Sequence, residues 1–238
     1  MEMKIFHLYP DVFNLYGDIG NITCIKKRLQ WRGIDCSVTE VPLGVKADFS
    51  EADLIFIGSG REEEQKTVHT DLLENKADAL RSAAQAGTAI LAIGGGFELL
   101  GKYIELADGS RLELAGVLDM HTAGGKSRHT GNYMFSTPFG KVVAVENHSG
   151  STHLGEGLES LGKIELGYGN NGEGEEGAMW KNVFGSYGHG PLLPKNPALC
   201  DEIIRRALSR RHGEVELAPL PDEAEERAHN YMAERLAK

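Results

Sequence analysis

The chain has 238 residues, 41% of them hydrophobic and 25% charged, which fits one α/β domain with a small appendage. Its formal net charge of −10 argues against a general affinity for nucleic acid or for an anionic membrane. Three widely spaced cysteines, no apolar run of about 18 residues and no signal-peptide pattern predict a cytoplasmic protein without a membrane span.

The first hundred residues alternate apolar runs with helical patterns. We predict strands at 4–9, 34–41, 53–57 and 88–93, and helices at 22–31 and 71–85. This alternation indicates βαβ units and an α/β fold with a mainly parallel sheet flanked by helices. Because ligands of such sheets bind beyond the carboxyl ends of the strands, the loops at 10–21, 58–65 and 94–98 are expected to meet at one edge.

The pattern changes after residue 101. Residues 110–170 are rich in glycine and contain short apolar runs, which predict antiparallel strands added to the sheet. A strand at 181–187 and an amphipathic helix at 197–211 follow. We therefore divide the chain into a main domain at 1–212 and a linker with a C-terminal helix at 213–238. That last helix is either a solvated end of the chain or a docking element for a partner.

The segment from Thr88 to Gly101 is the most informative stretch. A buried strand runs directly into Gly94, Gly95 and Gly96, and a helical pattern begins at Phe97. Such an elbow presents its turn residue and the next backbone N–H groups at the sheet edge. Three interpretations of this elbow are open. It cradles a phosphate, it presents a nucleophile beside an oxyanion hole, or it is a tight turn without chemistry. The phosphate interpretation is weak, because no Lys-Ser/Thr pair and no complete G-x-G-x-x-G is present.

Histidines supply the other chemical signals. His189 lies between two glycines at the end of a predicted strand, where a side chain is presented as easily as it is packed. Four further histidines follow no recognised ligand spacing, so we predict no metal site and no cofactor (His121, His129, His148, His153).

The elbow resembles that of the class I glutamine amidotransferases, and is closest to their cobyric-acid-synthase-like branch. The branch pattern is Cys-Gly-Gly-aromatic-Gln-Leu-Leu-Gly, and residues 94–101 match it except at Gly94 and Glu98, which stand at the Cys and Gln positions. Residues 186–196 look like the His-Gly-Pro segment of the same branch, with Gly188 where leucine is usual. The third member of the triad is less clear, because many class I enzymes carry Glu two residues after the histidine and this chain has Pro191.

Further segments at 15–21, 146–150 and 167–171 resemble the GatD family, the glutaminase subunits of the MurT–GatD lipid II isoglutaminyl synthases. The resemblance covers about residues 3–236 in the right order. It implies a subunit that hydrolyses L-glutamine and passes ammonia to a MurT-like Mur ligase subunit. That ATP-using partner amidates the α-carboxyl of D-glutamate in the peptidoglycan stem.

The resemblance also implies a role for each matching residue. Position 94 is that of the nucleophile, and His189 is the general base. Arg128 matches an arginine that we assign to the carboxylate of glutamine. The backbone N–H groups of Gly95 and of the loop 58–60, including Gly60, are expected to form the oxyanion hole. Glu98 belongs to the same substrate-binding set, and Asp18 is the candidate that orients His189.

Gly94 decides what the chain can do. A glutaminase of this type needs a thiolate for its acyl-enzyme, and none of the three cysteines is near the elbow in sequence. We therefore predict no glutaminase activity. Two explanations compete, an engineered replacement of the cysteine and a natural loss of hydrolysis. The additional departures at Glu98 and Gly188 favour the second.

Three functions are weighed. The first is a GatD-type glutaminase subunit that binds glutamine, and the second is a non-catalytic binding or scaffold subunit of the same fold whose ligase uses free ammonia. The third is a cobalamin-synthesis amidotransferase. It is disfavoured because those enzymes carry a long N-terminal synthetase domain, which is not expected in 238 residues.

Overall fold

A computed structural model describes residues 1–106, 109–125 and 127–237. Two residues of segments discussed above lie outside the described residues. They are Lys126, in the segment that contains Arg128, and Lys238, in the predicted C-terminal helix. The strands are β1 (Glu2–Leu8), β2 (Asp35–Val41), β3 (Leu54–Ile57), β4 (Ala89–Ile93), β5 (Tyr103–Glu105), β6 (Arg111–Glu113), β7 (Met120–Ala123), β8 (His129–Thr137), β9 (Gly140–His148), β10 (Ser151–Leu154), β11 (Gly162–Leu166), β12 (Glu175–Glu176), β13 (Ala178–Trp180) and β14 (Val183–Ser186). The helices are α1 (Ile19–Trp31), α2 (Glu62–Asp71), α3 (Ala77–Gln85), α4 (Gly95–Leu99), α5 (Pro197–His212) and α6 (Glu223–Leu236).

The central sheet has six strands in the order β13-β14-β4-β3-β1-β2. All neighbours are parallel except β13 and β14, which form an antiparallel hairpin at one edge. The α/β fold class and the mainly parallel sheet are confirmed. All four predicted strands of the first hundred residues are present, with ends shifted by one or two residues.

Strand β4 shows why this sheet forms. Every residue of Ala89–Ile93 is buried, as a strand covered on both faces requires. Successive side chains alternate between two apolar clusters. Ile90 and Ala92 pack in the cluster that contains Leu80 of α3, and Leu91 packs with Ile25 of α1. Helices therefore cover both faces and leave the carboxyl edge of the sheet open for a site.

The predicted helix at 71–85 is interrupted. A π-helical turn at Leu72–Lys76 separates α2 from α3. Within it Lys76 is fully buried, donates a hydrogen bond to the Val45 carbonyl at 2.7 Å and pairs with Asp71. The apolar spacing of the sequence persists through such a bulge, because Leu72 and Leu80 still face the core. Spacing alone therefore indicates a helix here but not the inserted turn.

The glycine-rich middle of the chain forms two separate four-stranded sheets. Their orders are β10-β7-β5-β6 and β12-β11-β8-β9. The strands are mostly antiparallel as predicted, but they stand apart from the central sheet instead of extending it, and only β13 joins its edge. The β8–β9 hairpin matters for the site, because Val145 of β9 pairs with His189 through two backbone hydrogen bonds.

An ion pair and a side-chain hydrogen bond are among the contacts that attach the C-terminal segment to the main body. Asp222, just before α6, accepts hydrogen bonds from Arg28 of α1 at 2.8 and 2.6 Å. The side chain of His229 meets the Lys195 carbonyl at 2.9 Å. Helix α6 itself has no buried residue, and Tyr231 is 62% exposed. Its outer face is thus free in this chain. Among the described residues, no helix has the length and apolar character that crossing a membrane requires.

Candidate functional site

The elbow after β4 has the backbone that a nucleophile turn requires. Gly94 adopts φ 52° and ψ −118°, a conformation that costs an L-residue roughly 1–3 kcal/mol. Its N–H donates to the Ser186 carbonyl of β14 at 2.8 Å, and its carbonyl accepts from Glu98 N to begin α4. An ideal Cβ at residue 94 would lie 2.9 Å from His189 Nε2. A side chain at this position would therefore point at the histidine.

His189 is held at the same edge by the end of β14. Its N–H donates to Val145 O at 2.7 Å, and its side chain is 2% exposed. The following Pro191 packs against Gly20 of α1, where an added Cβ would lie only 2.5 Å from the proline Cγ. The absence of a side chain at Gly20 thus allows α1 to approach the segment that carries His189. Beside it, Leu192 and Ala144 fill the space next to Gly188.

Asp18 lies behind the histidine and is fully buried. One carboxylate oxygen accepts the Ser59 N–H at 2.7 Å, and the other lies 3.8 Å from His189 Nδ1. That second distance exceeds a hydrogen bond, and both facing atoms have no partner among the described residues. The geometry places a carboxylate where it could orient the imidazole after a small closure.

Tyr16 covers the other side of His189. The two rings meet edge to face, with centroids 5.0 Å apart. Tyr16 has φ 59°, in the left-handed region that a tyrosine rarely adopts. Its hydroxyl accepts hydrogen bonds from Asn147 at 2.7 Å and from Arg128 at 3.4 Å. This loop therefore connects the buried histidine to the rim of the site.

A pocket of about 450 Å³ opens beside these groups. Its lining includes six of the seven predicted site residues, with Asp18 set behind them (Gly60, Gly94, Gly95, Glu98, Arg128, His189). Arg128 is exposed at the rim and donates its Nε to Asn147 at 2.6 Å. The volume suits a small ligand of amino-acid size. All predicted site residues are thus brought to one edge of the sheet.

The predicted oxyanion donors are arranged differently from the expectation. The Gly95 N–H donates to the Ser59 hydroxyl at 3.1 Å, and the Ser59 N–H is taken by Asp18. Gly60 N lies 3.2 Å from the position of an ideal Cβ on Gly95, so the loop and the helix start are in close contact. Two of the expected N–H groups therefore already have acceptors.

Glu98 lies on the inner wall of the pocket. It accepts a hydrogen bond from the Tyr187 hydroxyl at 3.0 Å and another from the side-chain amide of Gln65. Burial raises the pKa of the Glu98 carboxyl, and the two hydrogen bonds oppose that rise only in part. Glu98 thus presents a carboxyl group, partly protected from solvent, where the family pattern has an amide.

Four residues of this site carry no assignment from the sequence: Tyr16, Gln65, Asn147 and Tyr187. The sequence assigns Ser59 only as part of the loop 58–60, for its backbone N–H, and not for its side chain. Tyr16 and Asn147 stand inside segments that carry the family resemblance, so that resemblance was the available signal. Tyr187 likewise stands inside the resembling segment 186–196, whereas no comparable signal marks Gln65. As for the four remaining histidines, their rings stack on one another and on tyrosines, as in His121 against His153 at 5.2 Å. Within the described ranges, no three His, Cys, Asp or Glu side chains are grouped as metal ligands would be.

The sequence comparisons identify the family of the chain. Residues 4–197 match the CobB/CobQ-like glutamine amidotransferase domain, and the chain belongs to this family. Within it, the chain is a homologue of the GatD subunits. It is 38% identical over 236 residues to the lipid II isoglutaminyl synthase (glutamine-hydrolyzing) subunit GatD of Staphylococcus aureus (strain N315), covering 98% of this chain and 96% of that one.

A second relative supports the same family, and a solved structure supports the fold. The GatD subunit of Streptococcus pneumoniae (strain ATCC BAA-255 / R6) is 36% identical over 217 residues, which is 90% of this chain and 83% of that one. Among solved structures, PurLQS from Thermotoga maritima superposes with a TM-score of 0.58 over 88% of this chain and 99% of that chain. Its identity is 17%, so it supports the fold alone.

Proposed function

We propose that this chain is the glutamine-binding subunit of a complex that amidates lipid II, with a MurT-like Mur ligase as its partner, and that Gly94 leaves it without glutaminase activity. The observation that carries the proposal is the position of residue 94. Its missing side chain would face His189 Nε2 at the mouth of a pocket that also holds Arg128. The GatD relatives match almost the whole chain, which supports the same assignment.

Each site residue has a role in this proposal. Arg128 holds the α-carboxylate of glutamine at the pocket rim, where its guanidinium is exposed. The side-chain amide then points inward, towards Gly94 and His189. His189 is the base for a nucleophile, and Asp18 orients its ring through Nδ1. Gly60 and Gly95 supply backbone N–H groups on the oxyanion side, and Glu98 forms the inner wall.

Hydrolysis fails in this proposal at the first covalent step. Formation of the acyl-enzyme requires a thiolate that attacks the amide carbon while His189 takes its proton. Gly94 offers neither sulfur nor oxygen, and the loss of a triad nucleophile costs on the order of 10⁶ in rate. Binding does not depend on that atom, so the pocket retains its substrate without consuming it.

The docking element of the proposal is the C-terminal segment 213–238. Helix α6 buries none of its residues, yet its start is fixed by the Arg28–Asp222 ion pair. An anchored helix with a free face is suited to bind a partner subunit. In this proposal the main domain, 1–212, contributes the pocket.

The alternative is a scaffold subunit that positions its ligase without binding glutamine. The buried carboxyl group of Glu98 favours it, because the family pattern has glutamine there. In this alternative the ligase uses free ammonia, and no single substitution at position 94 brings glutamine into use.

The experiment reconstitutes this chain with a MurT-like ligase subunit, ATP and lipid II, and supplies either ammonium or glutamine. We expect a stable complex that forms the D-glutamate amide from ammonium, with glutamine supporting a rate lower by about 10⁴-fold or more. A complex lacking residues 213–238 is expected to dissociate. Equal rates with glutamine and ammonium, or the absence of any complex with the full chain, would contradict the proposal.

A further inference from the structure

The loop between β3 and α2 holds one hydroxyl in a fixed place. Ser59 is 4% exposed, its N–H donates to Asp18 at 2.7 Å, and its carbonyl accepts from Leu15 N at 2.9 Å. The flanking Gly58 lies so close to Phe13 that a Cβ there would meet the Phe13 carbonyl at 2.2 Å. The backbone of Ser59 is therefore held from both sides, and its side chain must project towards the elbow.

The hydroxyl stands at the point where acyl chemistry would occur. Ser59 Oγ accepts the Gly95 N–H at 3.1 Å, and it would lie 2.5 Å from an ideal Cβ at residue 94. Gly95 is the first residue of α4, so its N–H has no acceptor within the helix, and it is the donor that an oxyanion would need in place of the hydroxyl. The Ser59 oxygen thus occupies the position that the oxyanion of a tetrahedral intermediate needs. It also fills part of the space that a side chain at residue 94 would take.

We infer that Ser59 is a second block to glutamine hydrolysis, independent of Gly94, because its hydroxyl occupies the oxyanion site. The inference rests on the proposed function and deepens it. A cysteine at position 94 restores the nucleophile, but the Ser59 hydroxyl must rotate away before the substrate oxygen reaches the Gly95 N–H. Full activity requires both positions to change.

Ser59 is not itself arranged as a nucleophile. Its oxygen accepts a hydrogen bond from the same N–H that would have to stabilise the charge of its own intermediate. Among the described contacts, none joins Ser59 to the His189 imidazole, so no base is in place to take its proton. Blocking the acceptor site is the role that these contacts support.

The test uses a glutamine-shaped chloroketone, L-2-amino-4-oxo-5-chloropentanoate, on Gly94→Cys with and without Ser59→Ala. The thiol that Gly94→Cys introduces gives its proton to His189, the thiolate forms an S–C bond, and chloride leaves with the electrons of the C–Cl bond. Because the ketone oxygen uses the oxyanion donors, we expect labelling to be about tenfold faster in the double variant, the worth of about one neutral hydrogen bond. Ammonia release from glutamine should rise by a similar factor.

The control adds Ser160→Ala to Gly94→Cys, since Ser160 does not line the pocket, and it should label at the rate of the single variant. Ser59→Gly serves as a second variant if Ser59→Ala unfolds. Equal labelling with and without the Ser59 hydroxyl overturns the inference and leaves the proposed function intact. If the glutamine-shaped reagent labels no variant that carries Gly94→Cys, both are overturned. Labelling of the unaltered chain at Ser59 overturns the inference by showing that Ser59 is a nucleophile.

Discussion

Gly94→Cys is expected to raise ammonia release from glutamine from background to about 10³–10⁶ times the rate of the unaltered chain. An ideal Cβ would lie 2.7 Å from His189 Cε1 and 2.9 Å from its Nε2, which is closer than real Cβ contacts, so the imidazole must shift slightly and the sulfur then lies beside it. The strained backbone that a cysteine needs is already present, since Gly94 has φ 52°. The lower end of the range reflects the hydroxyl of Ser59 and the carboxyl of Glu98, which both remain.

Two further variants test whether the gain in ammonia release comes from the thiol and from its base. Gly94→Ala adds the same Cβ without sulfur and is expected to stay at background. Gly94→Cys combined with His189→Ala keeps the thiol, and should lose most of the gain because no base takes its proton. If Gly94→Cys releases no more ammonia than Gly94→Ala, both alone and with the ligase, the scaffold alternative is favoured.

Arg28→Ala is expected to lower the free energy of unfolding by about 3–5 kcal/mol. The Arg28 side chain is 3% exposed and binds Asp201 at 2.6 and 2.7 Å and Asp222 at 2.8 and 2.6 Å. It thereby connects α1 to α5 and to the start of α6. Its removal leaves two partly buried carboxylates, of which Asp222 loses both of its guanidinium contacts. Urea unfolding followed by circular dichroism measures the difference.

The matched control is Arg205→Ala. Arg205 also donates two hydrogen bonds to one carboxylate, that of Glu202, at 2.9 and 2.8 Å, but its side chain is 41% exposed. The guanidinium of Arg205 is well exposed to solvent, and the Glu202 carboxylate keeps its hydrogen bond to Arg206 at 2.6 Å, so we expect a loss of about 0–1 kcal/mol. Equal effects of the two substitutions would contradict the account of how the C-terminal segment is anchored.

The sequence predicts the sheet and the position of the site because both follow from local patterns. Short apolar runs become β3 and β4, and the glycines after each strand put residues 58–60 and 94–96 at one edge. His189 reaches the same edge because β14 is the parallel neighbour of β4. Arg128 comes from the family resemblance, whereas Asp18 is the carboxylate of a glycine-bearing loop within 10–21, which the strand order also predicts at this edge.

What the sequence does not predict depends on contacts between distant residues. The Ser59 hydroxyl and Gly95 are 36 positions apart, and their hydrogen bond exists only once β3 and β4 are paired. The grouping of the short strands into two separate sheets has the same origin, since strand pairing is not encoded within any one strand. The π-helical turn at Leu72–Lys76 occurs where Lys76 is buried and binds the Val45 carbonyl, which lies 31 positions away in the chain.

The most direct test of the central claim, a glutamine pocket without a nucleophile, is a calorimetric titration of the unaltered chain with L-glutamine, with ammonia measured in the same cell. We expect saturable binding, no ammonia, and affinity about tenfold to a hundredfold weaker in Arg128→Ala but unchanged in Arg205→Ala. No binding of glutamine, or release of ammonia by the unaltered chain, would contradict it.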